Sequence, residues 1–276
     1  MPRSYAAIWR EEGSPLLTWS KALQKEVQRH FKDAVLLGMR YGEPSLTSAV
    51  RKATEARVER ILLAPLYPQY ADATSGSTIA RLREVAAKEG FTGKISVLPP
   101  FPRAPYFVKP LAEKIRPHLR SESHLLLSFH GLPVKQLNGR HCNLRTKEVN
   151  ACCVRSIQEQ VFCYRAHCLA TAQECAKQLD LAPERWTLGF QSRFGRTKWL
   201  GPHTEELLRE LPGAGKTDLV VAAPSFVADC LETHEELGIQ ARRAFTQAGG
   251  QRFELVECLN GDAEFARGLA DAMKKL

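Results

Sequence analysis

One histidine and three carboxylates have the types and spacing needed for proton transfer and metal binding. His130 stands in the run Ser-Phe-His-Gly-Leu-Pro after an apolar segment, and a histidine exchanges protons near neutral pH unless its role is structural. In a helix that begins at Asp229, Glu232 and Glu236 share its face within about 60°. Such carboxylates can bind a hard divalent cation or accept protons. A capping pair of Asp229 with Glu232 is the alternative, and it leaves Glu236 without a role.

Two further segments carry aromatic, basic and small residues that suit a flat anionic ligand. In residues 66–78, Tyr70 precedes a turn of small residues, and Ser77 begins a predicted helix whose N-terminal amides favour anions. In residues 190–202, two arginines precede Trp199. Both segments follow predicted strands, where open α/β sheets bind ligands. Helix capping by the serine and packing of the tryptophan under a loop are the structural alternatives.

The cysteines are concentrated in one part of the chain. Of eight, six lie between Cys142 and Cys175, and none precedes Cys142. Thiolates at this density can bind a [2Fe–2S] cluster or a zinc ion, whereas a reducing compartment disfavours structural disulfides. Cys168 and Cys175 share one face of a predicted helix, so buried core thiols are the alternative for those two. Thiols without a metal are the third interpretation.

Short apolar runs alternate with amphipathic stretches along the chain, which is the pattern of βαβ units. Several runs are rich in Leu, Ile and Val and barely alternate, as expected for parallel strands covered on both faces. The predicted strands are Ala34–Gly38, Arg60–Pro65, Ile95–Pro99, His124–Phe129, Thr187–Gln191, Leu219–Ala223 and Phe253–Cys258. The predicted helices are Leu16–Phe31, Pro44–Ala56, Ser77–Glu89, Tyr106–Arg116, Cys168–Leu179, Thr204–Glu210, Asp229–Gln247 and Asp262–Lys275. The sequence therefore predicts an α/β fold.

A polar stretch at Pro117–Ser123 divides the predicted elements into two similar lobes, each a small parallel sheet flanked by helices, with a cleft between them. The first lobe covers residues 1–120 and lacks its first strand, because a helical pattern opens the chain. The second covers residues 121–260 and includes the cysteine-rich segment at 140–163. Residues 261–276 form a C-terminal helix that we expect to pack back on the first lobe.

Composition restricts the class of partner. Hydrophobic residues make up 44% and charged residues 25% of the chain, as in folded globular proteins. No apolar run approaches the roughly 20 residues of a membrane span, and the N-terminus lacks a secretory signal, so we expect a cytoplasmic protein. The net charge is +9, but its basic residues alternate with acidic ones, which disfavours nucleic acid. The positive balance is compatible with peripheral association with the inner membrane.

Six motifs resemble those of the ferrochelatase family and follow the family's order. They are Glu12-Gly-Ser-Pro-Leu16, Tyr67-Pro-Gln-Tyr70 with Ser75-Gly-Ser77, Ser128-Phe-His130-Gly-Leu-Pro133, Gln191-Ser-Arg-Phe-Gly195 with Trp199-Leu-Gly-Pro202, Asp229-x-x-Glu232-Thr233, and Leu259-Asn-Gly261. The resemblance runs from about Tyr5 to the C-terminus. It implies a two-lobed, chelatase-like enzyme that inserts ferrous iron into protoporphyrin IX to form protohaem.

The resemblance also implies roles for individual residues. His130 matches the catalytic histidine, and Glu232 matches the carboxylate that faces it across the cleft. Asp229 and Glu236 match acidic positions on the metal side, so these four residues form the expected path of the substrate iron. The family's porphyrin-pocket positions correspond to Tyr70, Ser77 and Trp199. Porphyrin and ferrous iron are thus the expected partners of a monomer or homodimer.

Two departures from the family pattern stand out. The family's N-terminal strand, and the next segment that forms one lip of the porphyrin pocket, have no counterpart here. Where the family continues to Gly-Asp-Pro-Tyr, this chain inserts residues 140–162 and resumes at Cys163. Because some ferrochelatases hold a [2Fe–2S] cluster, the resemblance favours such a cluster in the insertion over zinc. The predicted ligands are Cys142, Cys152, Cys153 and Cys163, with Cys168 as the substitute for one of the adjacent pair.

Other functions stay open at this point. The missing pocket lip leaves coproporphyrin as an alternative substrate, and a related chelatase could act on sirohydrochlorin or use another metal such as cobalt. A non-catalytic porphyrin- or haem-binding protein is the alternative from a different class.

Overall fold

The computed structural model describes residues 2–9, 11–137, 153 and 163–276. Cys142 and Cys152, two of the predicted cluster ligands, lie outside these residues. The architecture is α/β, with two parallel sheets flanked by helices, so the predicted fold class is confirmed. Among the helices of the described residues, none has the length and apolar character of a membrane span.

The first half of the chain contains the smaller sheet. Strands β1 (Arg60–Leu63) and β2 (Lys94–Val97) pair in parallel along their whole lengths. Around them lie the helices α1 (Pro2–Ala6), α2 (Pro15–Gln28), α3 (Leu46–Glu55), α4 (Ser77–Lys88) and α5 (Pro105–Ile115). A π-helical turn, Asp72–Gly76, leads into α4. Ser14 and Ser45 cap α2 and α3 through their side-chain oxygens, which fixes where these two helices begin.

The second half contains a four-stranded parallel sheet in the order β4-β3-β5-β6. Its strands are β3 (His124–His130), β4 (Trp186–Gln191), β5 (Asp218–Ala222) and β6 (Arg252–Leu255). Its helices are α6 (Tyr164–Gln178), α7 (Thr204–Glu210), α8 (Arg242–Gln247) and α9 (Ala263–Met273). A π-helix, Glu232–Ala241, runs directly into α8. Short 3₁₀ turns occur at Arg116–His118, Val134–Gln136, Pro183–Arg185 and Pro212–Ala214.

Strand β3 lies at the centre of the hydrophobic core. Residues 124–129 are buried on both faces, which explains why the leucine run in this strand shows no alternation. The largest apolar cluster joins side chains of both halves, including Leu23 and Phe107 from the first and Phe190 from the second. Helix α9 packs against α2 and α5, where Phe265 meets Phe107 with ring centroids 6.4 Å apart. The two halves therefore share one core.

One predicted strand does not form. In Ala34–Gly38, the side chains of Gln24 and Gln28 occupy the backbone groups of Val35: Gln24 Nε2 donates to its carbonyl at 2.7 Å, and Gln28 Oε1 accepts from its N–H at 2.8 Å. These groups are the ones that a neighbouring strand would use. Composition alone was thus not enough to predict a strand, because a strand also needs a partner. Helix α6, in turn, begins four residues earlier than predicted.

Candidate active site

His130 is the last residue of β3, and its ring is oriented by the residue that follows it. Its Nδ1 lies 2.6 Å from the backbone carbonyl oxygen of Gly131. Because a carbonyl can only accept, Nδ1 carries the proton in this contact, and Nε2 of the neutral ring keeps its lone pair. The ring also packs edge-on against Phe226, with centroids 6.0 Å apart. The arrangement makes Nε2 the basic atom of His130.

Trp199 lies beside the end of β3. Its indole N–H donates to the carbonyl of Phe194 at 2.7 Å, which fixes the plane of the ring. A Cβ atom at Gly131 would lie 3.3 Å from Cε3 of Trp199 and only 2.7 Å from the carbonyl oxygen of Gln191, so glycine is needed for this close approach. The structure therefore places Trp199 against Gly131, the residue that follows His130.

Glu236 reaches the same region from the π-helix. Burial raises the pKa of Glu236 above its ordinary value, while a hydrogen bond from Ser192 Oγ to Oε2, at 2.5 Å, acts in the opposite direction. Glu232 raises this pKa further and His130 lowers it, so both lie within electrostatic range of the Glu236 carboxyl. Gln191 Nε2 donates to the backbone carbonyl of Glu232 at 3.4 Å and connects β4 to the π-helix. His130 and Glu232 thus each interact electrostatically with Glu236.

Asp229 has a different environment from the two glutamates. It is 2% exposed, precedes the π-helix, and its carboxylate accepts hydrogen bonds from Asn260 Nδ2 at 2.7 Å, Thr233 Oγ1 at 2.9 Å and the backbone N–H of Cys258 at 3.2 Å. Asn260 Oδ1 in turn accepts from the backbone N–H of Asp229 at 2.9 Å. The carboxylate therefore joins the start of the π-helix to the loop after β6. Direct metal binding by Asp229 stays a prediction.

The loop that carries Tyr70 is attached to helix α6. Gln69 Nε2 donates to Thr171 Oγ1 at 3.0 Å and contacts the carbonyl of Pro224 at 3.2 Å, and the Tyr70 N–H donates to His167 Nδ1 at 3.1 Å. Burial lowers the pKa of His167 to about 4, so its neutral ring can accept this hydrogen bond. The loop from the first half is thereby joined to the helix that precedes β4.

The hydroxyl groups of Tyr70 and Ser77 make local contacts. Tyr70 donates to Oδ1 of Asp72 at 2.8 Å, and Ser77 Oγ donates to the carbonyl of Ala73 at 2.9 Å within the preceding turn. Ser77 Oγ is thus used within the preceding π-helical turn and does not cap α4, so helix capping by this serine, the structural alternative, is wrong. Porphyrin binding by Tyr70 and Ser77 stays a prediction.

Three cysteines of the insertion and of helix α6 approach one another. Cys153 and Cys163 are buried in a small cluster with Ala166 and Leu169. Burial raises the pKa of the Cys168 thiol well above its ordinary value, and the neighbouring Cys163 and Cys153 raise it further. Across the residues that the structure describes, no group of three or more His, Cys, Asp or Glu side chains is arranged to hold a metal ion. The other two predicted ligands lie outside that part of the chain.

Sequence reasoning missed residues that support the site. Ser192 directly follows β4, and its backbone adopts φ 63°, which is unusual for a residue other than glycine. Its place after a strand was a usable signal, because the same rule singled out His130. Tyr164, which contacts the backbone of His130, stands where the chain resumes the family's Gly-Asp-Pro-Tyr block after the insertion, and this match was its only signal.

The fold defines the class of protein as a chelatase-type α/β protein. The solved structure of SirB from Bacillus subtilis with Fe3+ covers 93% of this chain and 87% of its own, with a TM-score of 0.60 at 12% identity. A multi-domain protein from Deinococcus radiodurans with structural similarity to chelatases covers 94% of this chain and 51% of its own, with a TM-score of 0.53 at 12% identity. At these identities the likeness shows the fold alone.

Sequence comparison identifies the family. The ferrochelatase family profile matches residues 1–276. The ferrochelatase of Pseudomonas fluorescens strain Pf-5 is 43% identical over 269 residues, covering 96% of this chain and 79% of that protein. The ferrochelatase of Azotobacter vinelandii is 42% identical over 274 residues, covering 97% and 80%. The chain belongs to the ferrochelatase family, and the resemblance in the motifs is confirmed.

The raised pKa of Glu236 predicts how its replacement changes stability. Glu236→Gln keeps the shape and an acceptor for Ser192 but removes the charge. Because folding raises this pKa, the ionised carboxylate lowers the free energy of unfolding at pH 7. This destabilisation disappears below the ordinary pKa of glutamate, where the carboxyl is protonated in both the folded and the unfolded state. We expect the variant to melt at an equal or higher temperature than the unchanged protein at pH 7, and at the same temperature near pH 4, about the ordinary value.

Thermal unfolding at the two pH values checks this expectation. Glu11→Gln, at an exposed glutamate that does not contribute to the shift of Glu236, is the control and should leave the difference between the two pH values unchanged. A clearly lower melting temperature of Glu236→Gln at pH 7 would contradict the account.

Proposed function

We propose that this chain inserts ferrous iron into protoporphyrin IX, the reaction of its family, and that His130 is the base. The observation that supports this role is the position of the His130 ring. Its Nδ1 is bonded to the carbonyl of Gly131, which leaves Nε2 as a proton acceptor, and the ring lies within electrostatic range of Glu236. A proton acceptor next to carboxylates is what the replacement of pyrrole protons by a divalent metal requires.

In this proposal the porphyrin lies in the cleft between the lobes 1–120 and 121–260, with Tyr70, Ser77 and Trp199 around the ring. Iron insertion forms four bonds from Fe²⁺ to the porphyrin nitrogens and releases two pyrrole protons. His130 Nε2 takes one proton, and the second leaves through the glutamates of the π-helix. A base in the cleft accepts the proton directly, so the proton does not have to be transferred to bulk water.

Glu232 and Glu236 deliver the iron in this proposal. Carboxylate oxygens can replace the water ligands of a divalent cation one at a time, so the metal reaches the ring partly dehydrated. Burial favours such a role for Glu236, because its charge is poorly solvated by water and gains from a cation nearby. Asp229 acts indirectly, since its carboxylate fixes the start of the π-helix that carries both glutamates.

Replacement of the base tests the proposal. In His130→Ala we expect kcat to fall by about 10²–10⁴-fold with the Kd for porphyrin nearly unchanged, because only the transition state uses the proton transfer. Anaerobic insertion of Fe²⁺, followed by porphyrin absorbance, gives kcat, and porphyrin fluorescence gives Kd. His30→Ala, outside the site, is the control.

The same experiment separates the alternatives. Equal losses of binding and turnover in His130→Ala would point to a structural histidine. If the unchanged protein binds porphyrin without inserting iron, the alternative of a non-catalytic binding protein is supported instead. If it turns over coproporphyrin faster than protoporphyrin, coproporphyrin is the substrate.

We also propose that the cysteine-rich segment holds a [2Fe–2S] cluster. The proposed ligands are Cys142, Cys152, Cys153 and Cys163, with Cys168 as a substitute for one of the adjacent pair. Support comes from the density of thiols and from the buried positions of Cys153 and Cys163 near Cys168. Thiolates are the usual ligands of such clusters, and a bound cluster would supply folding energy to a segment that has few apolar residues. Iron insertion does not pass through it.

The colour of the protein tests the cluster. Protein purified without oxygen should be reddish-brown and contain iron and sulfide, because thiolate-ligated iron absorbs visible light whereas Zn²⁺ is d¹⁰. Cys142→Ser or Cys163→Ser should bleach it, whereas the control Cys175→Ser should not. A colourless preparation with stoichiometric zinc would show that the segment binds zinc instead of a cluster. A preparation without metal would exclude both the cluster and zinc.

We propose peripheral association with anionic membranes through the loop that follows β4. Phe194 is 84% exposed, and Arg193, Arg196 and Lys198 are close to it in the sequence of an exposed segment, in a chain with net charge +9. An apolar side chain among cations suits an anionic lipid surface. Co-sedimentation with anionic vesicles should weaken as salt is raised and should weaken in Phe194→Ser. Vesicle binding that is unchanged by added salt and by Phe194→Ser would contradict the proposed membrane association.

A further inference from the structure

Strand β3 extends beyond one of its two neighbours. The β3–β5 ladder ends with the pair Leu127 and Ala222, whereas the β3–β4 ladder continues to the pair His130 and Gln191. On the β4 side, the N–H of Gly131 donates to the carbonyl of Gln191 at 2.8 Å. The backbone N–H and C=O of His130 point toward the β5 side of the strand, where β5 no longer pairs with β3. Because these groups are partly buried, they need other hydrogen-bond partners.

Two hydroxyl groups take the place of the missing strand. The N–H of His130 donates to Ser225 Oγ at 3.2 Å, and the Tyr164 hydroxyl donates to the carbonyl of His130 at 2.7 Å. The two hydroxyl oxygens are 3.1 Å apart. Because a phenol has a single proton and Tyr164 gives it to the carbonyl, Ser225 is the donor between the two hydroxyls. The three residues therefore form a closed ring of hydrogen bonds around the backbone of His130.

The Tyr164 hydroxyl is a constant and well-anchored donor. Tyr164 is only 7% exposed, so water has little access to compete for the hydrogen bond to His130. Tyr164 begins helix α6, which packs against α5 and β4. Its position is thus set by a helix in the core, and Ser225 reaches the ring from the separate loop after β5.

We propose that Tyr164 and Ser225 are positioning residues for His130, because they fix its backbone and hence the direction of its Nε2. The inference rests on the proposed function of His130 as the base. Proton transfer depends steeply on the placement of the base, so displacing Nε2 lowers turnover. Trp199 and the Tyr70 loop are held by other contacts, so porphyrin binding does not depend on this ring.

The variants Tyr164→Phe and Ser225→Ala each break the ring by removing one oxygen atom. We expect kcat to fall by about ten-fold in each, with the KM for porphyrin changed by less than about two-fold. The double variant should lose no more than the poorer single variant, because either change already opens the ring. Tyr106→Phe, at a tyrosine packed in α5 against Phe265, is the matched control and should leave kcat and KM unchanged.

NMR of ¹⁵N-labelled histidine reports which ring nitrogen of His130 carries the proton, and it does not depend on turnover. The unchanged protein should show Nδ1 protonated and Nε2 unprotonated, and these signals should move in Tyr164→Phe and Ser225→Ala but not in Tyr106→Phe. Unchanged kcat and unchanged His130 signals in folded variants would overturn the proposal, and Ser225→Ala decides alone if Tyr164→Phe does not fold. If the His130 signals shift in the variants but the unchanged protein inserts no iron, the positioning role is retained and the proposed function is refuted.

Discussion

The backbone of β3 must be completed on both sides, because the strand is buried between β4 and β5. Up to Leu127 the two neighbouring strands supply the partners. Beyond it, β4 still pairs with β3, but on the β5 side the backbone of His130 relies on hydroxyl groups from two other segments. His130, the proposed base, therefore lies at the position where regular strand pairing ends. The geometry of the site follows from this irregular end of a buried strand.

The acidic residues show how the surroundings of a carboxylate decide its use. Asp229 accepts hydrogen bonds from three donors and is fully buried, so its charge is already stabilised by the fold. Glu236 receives a short hydrogen bond from Ser192, and burial raises its pKa. A carboxylate in that condition gains more from a cation or a proton than a saturated one does. The number of hydrogen-bond donors around each carboxylate, rather than its place in a motif, therefore distinguishes Asp229 from Glu236.

The sequence predicted most of the strands, because covered parallel strands depend on local patterns, whereas the roles of the candidate site residues stay predictions. Runs of Leu, Ile and Val mark the covered parallel strands, and the residues just after them include His130. Ala34–Gly38 failed as a strand because pairing requires a neighbour that composition does not reveal. The contacts of Asp229 with Asn260 and of Tyr164 with His130 span 31 and 34 residues. Contacts of that range arise only from tertiary packing, so no local motif encodes them.

In the proposed reaction, a porphyrin binds with its nitrogens between His130 and the glutamates of the π-helix. A crystal structure of the protein with an N-alkylated porphyrin, which cannot take up iron in the normal way, tests it most directly. The account predicts a pyrrole nitrogen within hydrogen-bond reach of His130 Nε2, about 3 Å away, with Glu236 facing the ring and Trp199 at its edge. A porphyrin bound elsewhere, or an Nε2 atom turned away and bonded to the protein, would contradict the account.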